Sequence, residues 1–176
     1  MVDMPVRLAA PDPTWRESFV GQREDVARVL ARWLAATVQH VGSTAVPGLP
    51  AKPIVDLMAP VVVLPRIGSP ERAAMVDALT EDGWTYWSDD PHAATRLWFL
   101  RPSPELRTHH LHVVEFGGPR ARALVAFRDA LTRDPAVAAD YADLKRRLAA
   151  EYPEDREAYT AGKGAFVARV LGYTVD

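Results

Sequence analysis

Three groups of residues in this chain have types and spacings that suit chemistry. The first is the segment His40-Val41-Gly42-Ser43-Thr44-Ala45-Val46-Pro47-Gly48-Leu49-Pro50-Ala51-Lys52-Pro53-Ile54-Val55-Asp56. It reads as a strand end, a Gly-Ser turn, a stiff Pro-Gly loop, a lysine and a carboxylate on the next strand. Backbone N–H groups and hydroxyls of such a turn can grip an anion, so His40, Gly42, Ser43, Thr44 and Lys52 are candidates for holding phosphate. A turn that merely joins two strands would show the same Gly-Ser pair. Strand alternation adds to the functional case, since Val55 and Leu57 toward the core leave Ile54, Asp56 and Met58 on the opposite face. A carboxylate inside an apolar strand is costly unless it is paired or ligates a metal, which singles out Asp56.

The second group is Thr108-His109-His110-Leu111-His112-Val113-Val114-Glu115. Alternation sets Leu111 and Val113 on one face and His110 and His112 on the other. Two imidazoles two residues apart on a strand can converge on a metal or a phosphate. A hydrogen-bonded core histidine with its neighbours at a strand edge is the plainer alternative. If this strand lies beside the one carrying Asp56 with the same face forward, Asp56, His110 and His112 become a metal-ligand set, and Asp56, His112 and Lys52 the catalytic candidates.

The third group is the lysines. Of 21 basic residues only Lys52, Lys145 and Lys163 are lysine, and the rest are arginine. An ammonium is a compact point charge and a guanidinium a planar fork, so lysine in an arginine-rich chain marks places where the fork does not serve. Lys145 follows Tyr141 and Lys163 follows Tyr159 at a spacing of four, each beside an apolar helical stripe. Stems snorkelling along apolar neighbours account for this without function. The functional reading is that the ammonium groups aim at a phosphate-rich ligand near the Gly-Ser turn.

The elements that must position these groups are legible as patterns. After a cap at Asp12 or Thr14, the spacing of Trp15, Phe19, Val26, Leu30, Trp33 and Leu34 predicts an amphipathic helix running to about Ala36. Thr37 to Val41 and Ile54 to Val63 read as strands flanking the loop, although Pro60 interrupts the second. Ser69-Pro70-Glu71 opens a helix that Gly83 stops. Trp84 to Trp87, Arg96 to Leu100 and His109 to Glu115 are strand candidates at antiparallel spacing. Pro119 to Arg133, Pro135 to Ala150 and Asp155 to Leu171 carry helical stripes, so the C-terminal third is predicted helical. With no repeat or long linker, the expectation is one α+β domain over residues 1–176.

Composition excludes several classes. There is no cysteine, so disulfides and thiolate metal sites are out, and a net charge of −2 argues against binding nucleic acid by charge alone. No apolar run approaches the ~20 residues that span a bilayer, and the N-terminus does not resemble a signal peptide, so the expectation is a cytoplasmic protein with no membrane partner. No base-reading motif marks sequence-specific nucleic-acid binding. Trp84, Tyr86, Trp87, Trp98 and Phe99 suit either the sheet's core or the wall of an acceptor pocket. Asp89, Asp90 and His92 suit a solvated turn or a late metal ligand. The aromatic stripe Trp15, Phe19 and Trp33 suits the core, or else an interaction surface. Oligomeric state is not legible.

The run HVGSTAVPGLPAKPIVDL, with HHLHV, FRDALTRDPAVAADYADLK and YTAGKGAFV, resembles the GrpB family, also called UPF0157. The resemblance spans essentially the chain and implies a nucleotidyltransferase-like fold: a small mixed sheet flanked by helices, with the Gly-Ser turn opening the site. It implies a nucleoside triphosphate or other phosphate-bearing small molecule as ligand, and a divalent metal (Mg, Mn or Zn) as cofactor. In active nucleotidyltransferases a second acid follows two residues after the first, and two metals are held between them. Gly42, Ser43 and Asp56 match that pattern, whereas Met58 stands at the second acid's position. A thioether there weakens a Mg²⁺ site, and imidazole from His110 and His112 is expected to suit Zn²⁺, Mn²⁺ or Ni²⁺ better. The expectations are therefore metal-assisted nucleotidyl transfer to an unknown small acceptor or, alternatively, a non-catalytic nucleotide- or phosphometabolite-binding domain. Some members of the family are joined to dephospho-coenzyme A kinase, which points to a coenzyme A-related ligand as one possibility.

Overall fold

The computed structural model describes residues 5–172; expectations for residues 1–4 and 173–176 lie outside them. The strands β1 (Gln39–Val41), β2 (Val55–Val61), β3 (Thr85–Tyr86), β4 (Leu97–Arg101) and β5 (His109–Glu115) form one sheet in the order β1-β2-β5-β4-β3. The predicted antiparallel trio is present as β3-β4-β5, and β1 pairs antiparallel with β2. The one parallel pairing is β2 with β5, which makes the sheet mixed. Its register sets Asp56 opposite His110 and Met58 opposite His112.

One face of the sheet carries Val55, Leu57, Ala59, Leu97, Phe99, Leu111 and Val113. It packs on α1 (Thr14–Val29) and α2 (Pro70–Glu81) through Trp15, Phe19, Val26, Met75 and Leu79. Trp15 and Phe19 are thus core residues, and Trp33 packs against the same cluster, which answers the question of an interaction surface on α1. The helix α1 ends at Val29 and not near Ala36, because residues 33–35 leave it to pair with the end of β2 that extends past β1. Ala35 N–H bonds to Pro60 O at 2.9 Å and Val62 N–H to Trp33 O at 3.0 Å. The start of α2 is as the sequence indicates, with Ser69 Oγ accepting from Arg72 N–H and Pro70 in the first turn.

The opposite face of the sheet packs on α3 (Pro119–Arg133) through Val41, Met58, Val114 and Ala121, while α4 (Pro135–Glu151) and α5 (Arg156–Ala161) face it across a cavity and α6 (Gly164–Leu171) packs against α3. The last predicted helix is broken at Gly162 and Lys163, where a Cβ on Gly162 would lie 2.5 Å from Leu148 Cδ2; the chain bends where α4 presses closest. The Pro-Gly loop is held between these helices, with Val46 and Leu49 buried against Leu131, Tyr141, Ala142 and Phe166. Among the described residues no helix is long and apolar enough to cross a membrane.

Candidate metal and phosphate site

Asp56 projects from β2 toward the helical C-terminal third, and the parallel pairing delivers His110 and His112 from β5 to the same place. His110 Nδ1 lies 3.0 Å from Asp56 Oδ1 and His112 Nε2 3.5 Å from the same oxygen. One ligand atom from each of the three residues falls within 4.8 Å of the others. On its other side Asp56 is met by Gly42. A Cβ on Gly42 would stand 2.3 Å from Asp56 Oδ2, and the residue has φ +71°, so both space and backbone demand glycine. The Gly of the Gly-Ser turn is therefore what lets the turn close on the carboxylate.

Two walls flank this cluster, one on each side in the strand order. On the β1 side, Lys145 Nζ donates to Ser43 Oγ at 3.2 Å and to Pro50 O, and its ammonium lies over the Tyr141 ring at 4.8 Å. Lys163 and Lys52 both stand over Tyr159, at 4.5 and 5.0 Å. On the β4 side, Arg96 forms a two-pronged ion pair with Asp90, at 2.7 and 2.9 Å, and reaches His112 Nδ1 at 3.1 Å. Its guanidinium covers Trp98 at 4.7 Å. A cavity of about 330 Å³ lies between the walls, and all three lysines, Ser43, Asp56, His110 and His112 line it together with Arg96, Arg120 and Arg156.

The electrostatics follow from burial. Desolvation raises the Asp56 carboxyl, but hydrogen bonds to His110 and His112 outweigh it and hold the group well below the usual carboxylate range. Burial pushes His112 down to about 4, with the Asp56 hydrogen bond opposing and the Arg96 charge adding to the fall. His110 is lowered for the same first reason. Lys145, only 2% exposed, is pushed to about 7 by burial and then by the Lys163 and Arg146 charges. Burial lowers Lys163 to about 8, with Asp56 resisting. Because a guanidinium can only donate, His112 offers Nδ1 as acceptor to Arg96 and keeps its proton on Nε2, facing Asp56. A cation held at Nε2 would need that nitrogen unprotonated; the ring's proton would then sit on Nδ1, which could no longer accept from Arg96.

The predicted site residues divide. Gly42, Ser43, Lys52, Asp56, His110, His112, Lys145 and Lys163 gather at one place. His40 and Thr44 do not line this cavity: His40 pairs in register with Leu57, stacks on Phe19 at 4.7 Å across the sheet from Asp56, and bonds Thr44 Oγ1 at 3.0 Å. Alternation along β1 decides this, since Val41 and not His40 shares the Asp56 face. Asp90 is buried and bonds Arg96, and His92 reaches the cavity from the same loop. The aromatic group splits by alternation too, with Phe99 in the core and Trp98 on the cavity wall. Met58 is buried with Val41, Val114 and Ala121 and offers the cluster no donor. Sequence reasoning missed Arg96, Arg120 and Arg156. Trp98, at an alternate position on β4, was the one signal for that wall, while arginines near helix starts carry none.

Two nitrogens and one oxygen at this spacing fit a single borderline cation such as Zn²⁺ better than a pair of Mg²⁺ ions. His110 Nε2 is buried without a hydrogen-bond partner among the described residues, so that ring's Nδ1 is the nitrogen turned to the cluster.

A five-stranded mixed sheet under a helical cap, with an Asp-His-His cluster walled by cations, defines the class of α+β protein in hand. The chain matches the family described as GrpB protein over residues 5–172 and belongs to that family. A UPF0157 protein of Pseudomonas aeruginosa is 40% identical over 95% of this chain, which spans 66% of that relative's length. The crystal structure of the conserved protein GrpB from Enterococcus faecalis superposes with a TM-score of 0.80 at 28% identity, covering 94% of this chain and 95% of that one. A dephospho-CoA kinase of Mycolicibacterium paratuberculosis is 30% identical over 90% of this chain, a match confined to 43% of the kinase.

Proposed function

We propose that the chain holds one divalent cation on Asp56, His110 and His112 and transfers a nucleotidyl or related phosphate group from a nucleoside triphosphate to a small acceptor. The observation that carries this reading is the cavity's charge: Lys52, Lys145, Lys163, Arg96, Arg120 and Arg156 surround a single lining carboxylate, Asp56. Six cations converge on a space suited to phosphate groups, next to a metal-ligand set. The resemblance to nucleotidyltransferases and the relative joined to a kinase of a nucleotide-containing coenzyme support the same ligand class.

Ser43, already held by Lys145, presents a hydroxyl to a phosphate oxygen, and Lys145 and Lys163 neutralise charge that builds on the leaving phosphates. In the transfer the acceptor's oxygen or nitrogen bonds to phosphorus as the bridging P–O bond breaks, the leaving phosphates take the electron pair, and the acceptor's proton passes to water. A bound cation supplies Lewis-acid polarisation of the phosphate. The second reading, binding of a phosphometabolite without turnover, is favoured by one observation, the buried Met58 at the position of the missing second acid.

Incubation of the chain with nucleoside triphosphate, Mn²⁺ and a panel of small acceptors tests the proposal. Asp56→Asn is expected to keep the fold and lose metal-dependent product by about 100-fold or more. Saturable metal-dependent binding with no product in any arm favours the binding reading, and full activity of Asp56→Asn overturns the mechanism.

A further inference from the structure

We propose that Arg120, with Trp98 and His92, forms a second oxyanion subsite on the β4 side of the Asp56 cluster, holding a carboxylate or phosphate group of the acceptor. The assignment rests on the reading of the cavity as a phosphate-transfer site and names a property of its second reactant.

Arg120 lies at the start of α3 and lines the cavity, and among the described residues its guanidinium has no hydrogen bond and no ion pair. Its Nε is buried without a partner, as is Nε1 of Trp98, which lines the same cavity. The other cation of this wall, Arg96, is already satisfied by two bonds to Asp90. Arg120 interacts electrostatically with Arg96, Asp90 and His92, so it belongs to this wall and not to the lysine wall. Burial and then the Arg96 charge hold its guanidinium below the ordinary range, with Asp90 offsetting only part. A half-buried cation without a partner weakens the fold, and an anionic ligand removes that penalty.

The position says which reactant. In the strand order β1-β2-β5-β4-β3, the Gly-Ser turn follows β1 and Trp98 sits on β4, with Asp56 on β2 and the two histidines on β5 between them. A triphosphate gripped by Ser43, Lys145 and Lys163 therefore leaves the Arg120 wall facing the opposite side of the reacting centre, where the acceptor enters. A planar guanidinium matches a carboxylate or phosphate through its donors, and those left to a ligand in the cavity are the terminal amino groups, since Nε is fully buried.

Crystals of the chain soaked in selenate, whose anomalous signal marks each bound anion, test the assignment. The parent is expected to bind one selenate at Ser43, Lys145 and Lys163 and a second at Arg120. Arg120→Gln should lose only the second and Arg120→Lys should keep it. Pyrophosphate added to the soak should replace the first and leave the second. The melting temperature of Arg120→Gln should stay level or rise by about 2–4 °C. No selenate at Arg120 in the parent, both anions retained in Arg120→Gln, both cleared by pyrophosphate, or a fall of that size in melting temperature each overturns the proposal. Loss of the lysine-wall anion alone, in the parent, overturns the phosphate-transfer reading while leaving an Arg120 anion site.

Discussion

Gly42 and Asp56 show how one residue's missing atom makes another's chemistry available. At position 42 a side chain would meet Asp56 Oδ2 at 2.3 Å and would have to adopt φ +71° with extended ψ, a region left almost entirely to glycine. Gly42→Ala is therefore expected to cost about 1–3 kcal/mol and to push the Asp56 carboxylate off His110 and His112. A lowered melting temperature together with a loss of Mn²⁺ affinity of at least tenfold would confirm it. An alanine variant with parent affinity would mean that the turn does not position the carboxylate. Lys145 makes a similar point, since its ammonium is buried against Ser43, Pro50 O and Tyr141 in a space cut for a point charge.

At the scale of elements, the loop between β3 and β4 is what gives the second wall its shape, and two buried arginines hold it. Arg72, on α2, donates to Pro65 O, Tyr86 Oη and Ala93 O at 3.1, 3.2 and 2.9 Å, fixing the loop to the helix beneath. Arg96 then closes on Asp90, whose side chain is 1% exposed. Arg96→Ala leaves that carboxylate buried and unpaired, so the expected loss of stability is about 3–5 kcal/mol. Denaturant unfolding of Arg96→Ala beside Arg96→Ala/Asp90→Ala checks this, because removing both charges should recover much of the loss. An Arg96→Ala variant as stable as the parent would show that the pair is not what holds the loop.

At the scale of the whole molecule, the buried lysines tie stability and anion binding to pH in opposite directions. Lys145 gives up its proton near pH 7 in the folded chain but only in the ordinary lysine range when unfolded. Above about pH 7 the unfolded state thus binds more protons, and the stability of the anion-free chain gains from Lys145 as pH rises toward 10. Anions need Lys145 and Lys163 charged, so affinity for sulfate, whose own charge is constant over this range, should fall as pH rises past about 8, by roughly tenfold per linked proton and pH unit. Calorimetric titration with sulfate at several pH values measures the second trend and melting curves the first. Lys145→Met should weaken both trends and leave the share carried by Lys163, and a sulfate affinity independent of pH would remove the lysines from the site.

What the sequence determined by itself is local: the alternation that turned Asp56 away from the Val55 and Leu57 face and His110 and His112 away from Leu111 and Val113, the Pro and Ser signals of α2, and the Tyr-Lys spacings. These depend on residues within one turn or one strand, where backbone geometry alone sets direction. Which strands are neighbours was beyond it. Only the parallel β2–β5 pairing, between segments separated by two strands and a helix in the chain, joins Asp56 to the histidines, and only the strand order puts Arg96 and Trp98 opposite the lysines. His40 was misplaced for the complementary reason: closeness in sequence to the Gly-Ser turn says nothing about the face of the sheet on which a side chain emerges, and His40 emerges against Phe19. The break in the last helix had a local sign in Gly162 and Gly164, although the press of α4 fixed its place, whereas the unpaired Arg120 depends on contacts with distant elements and left no trace in local pattern.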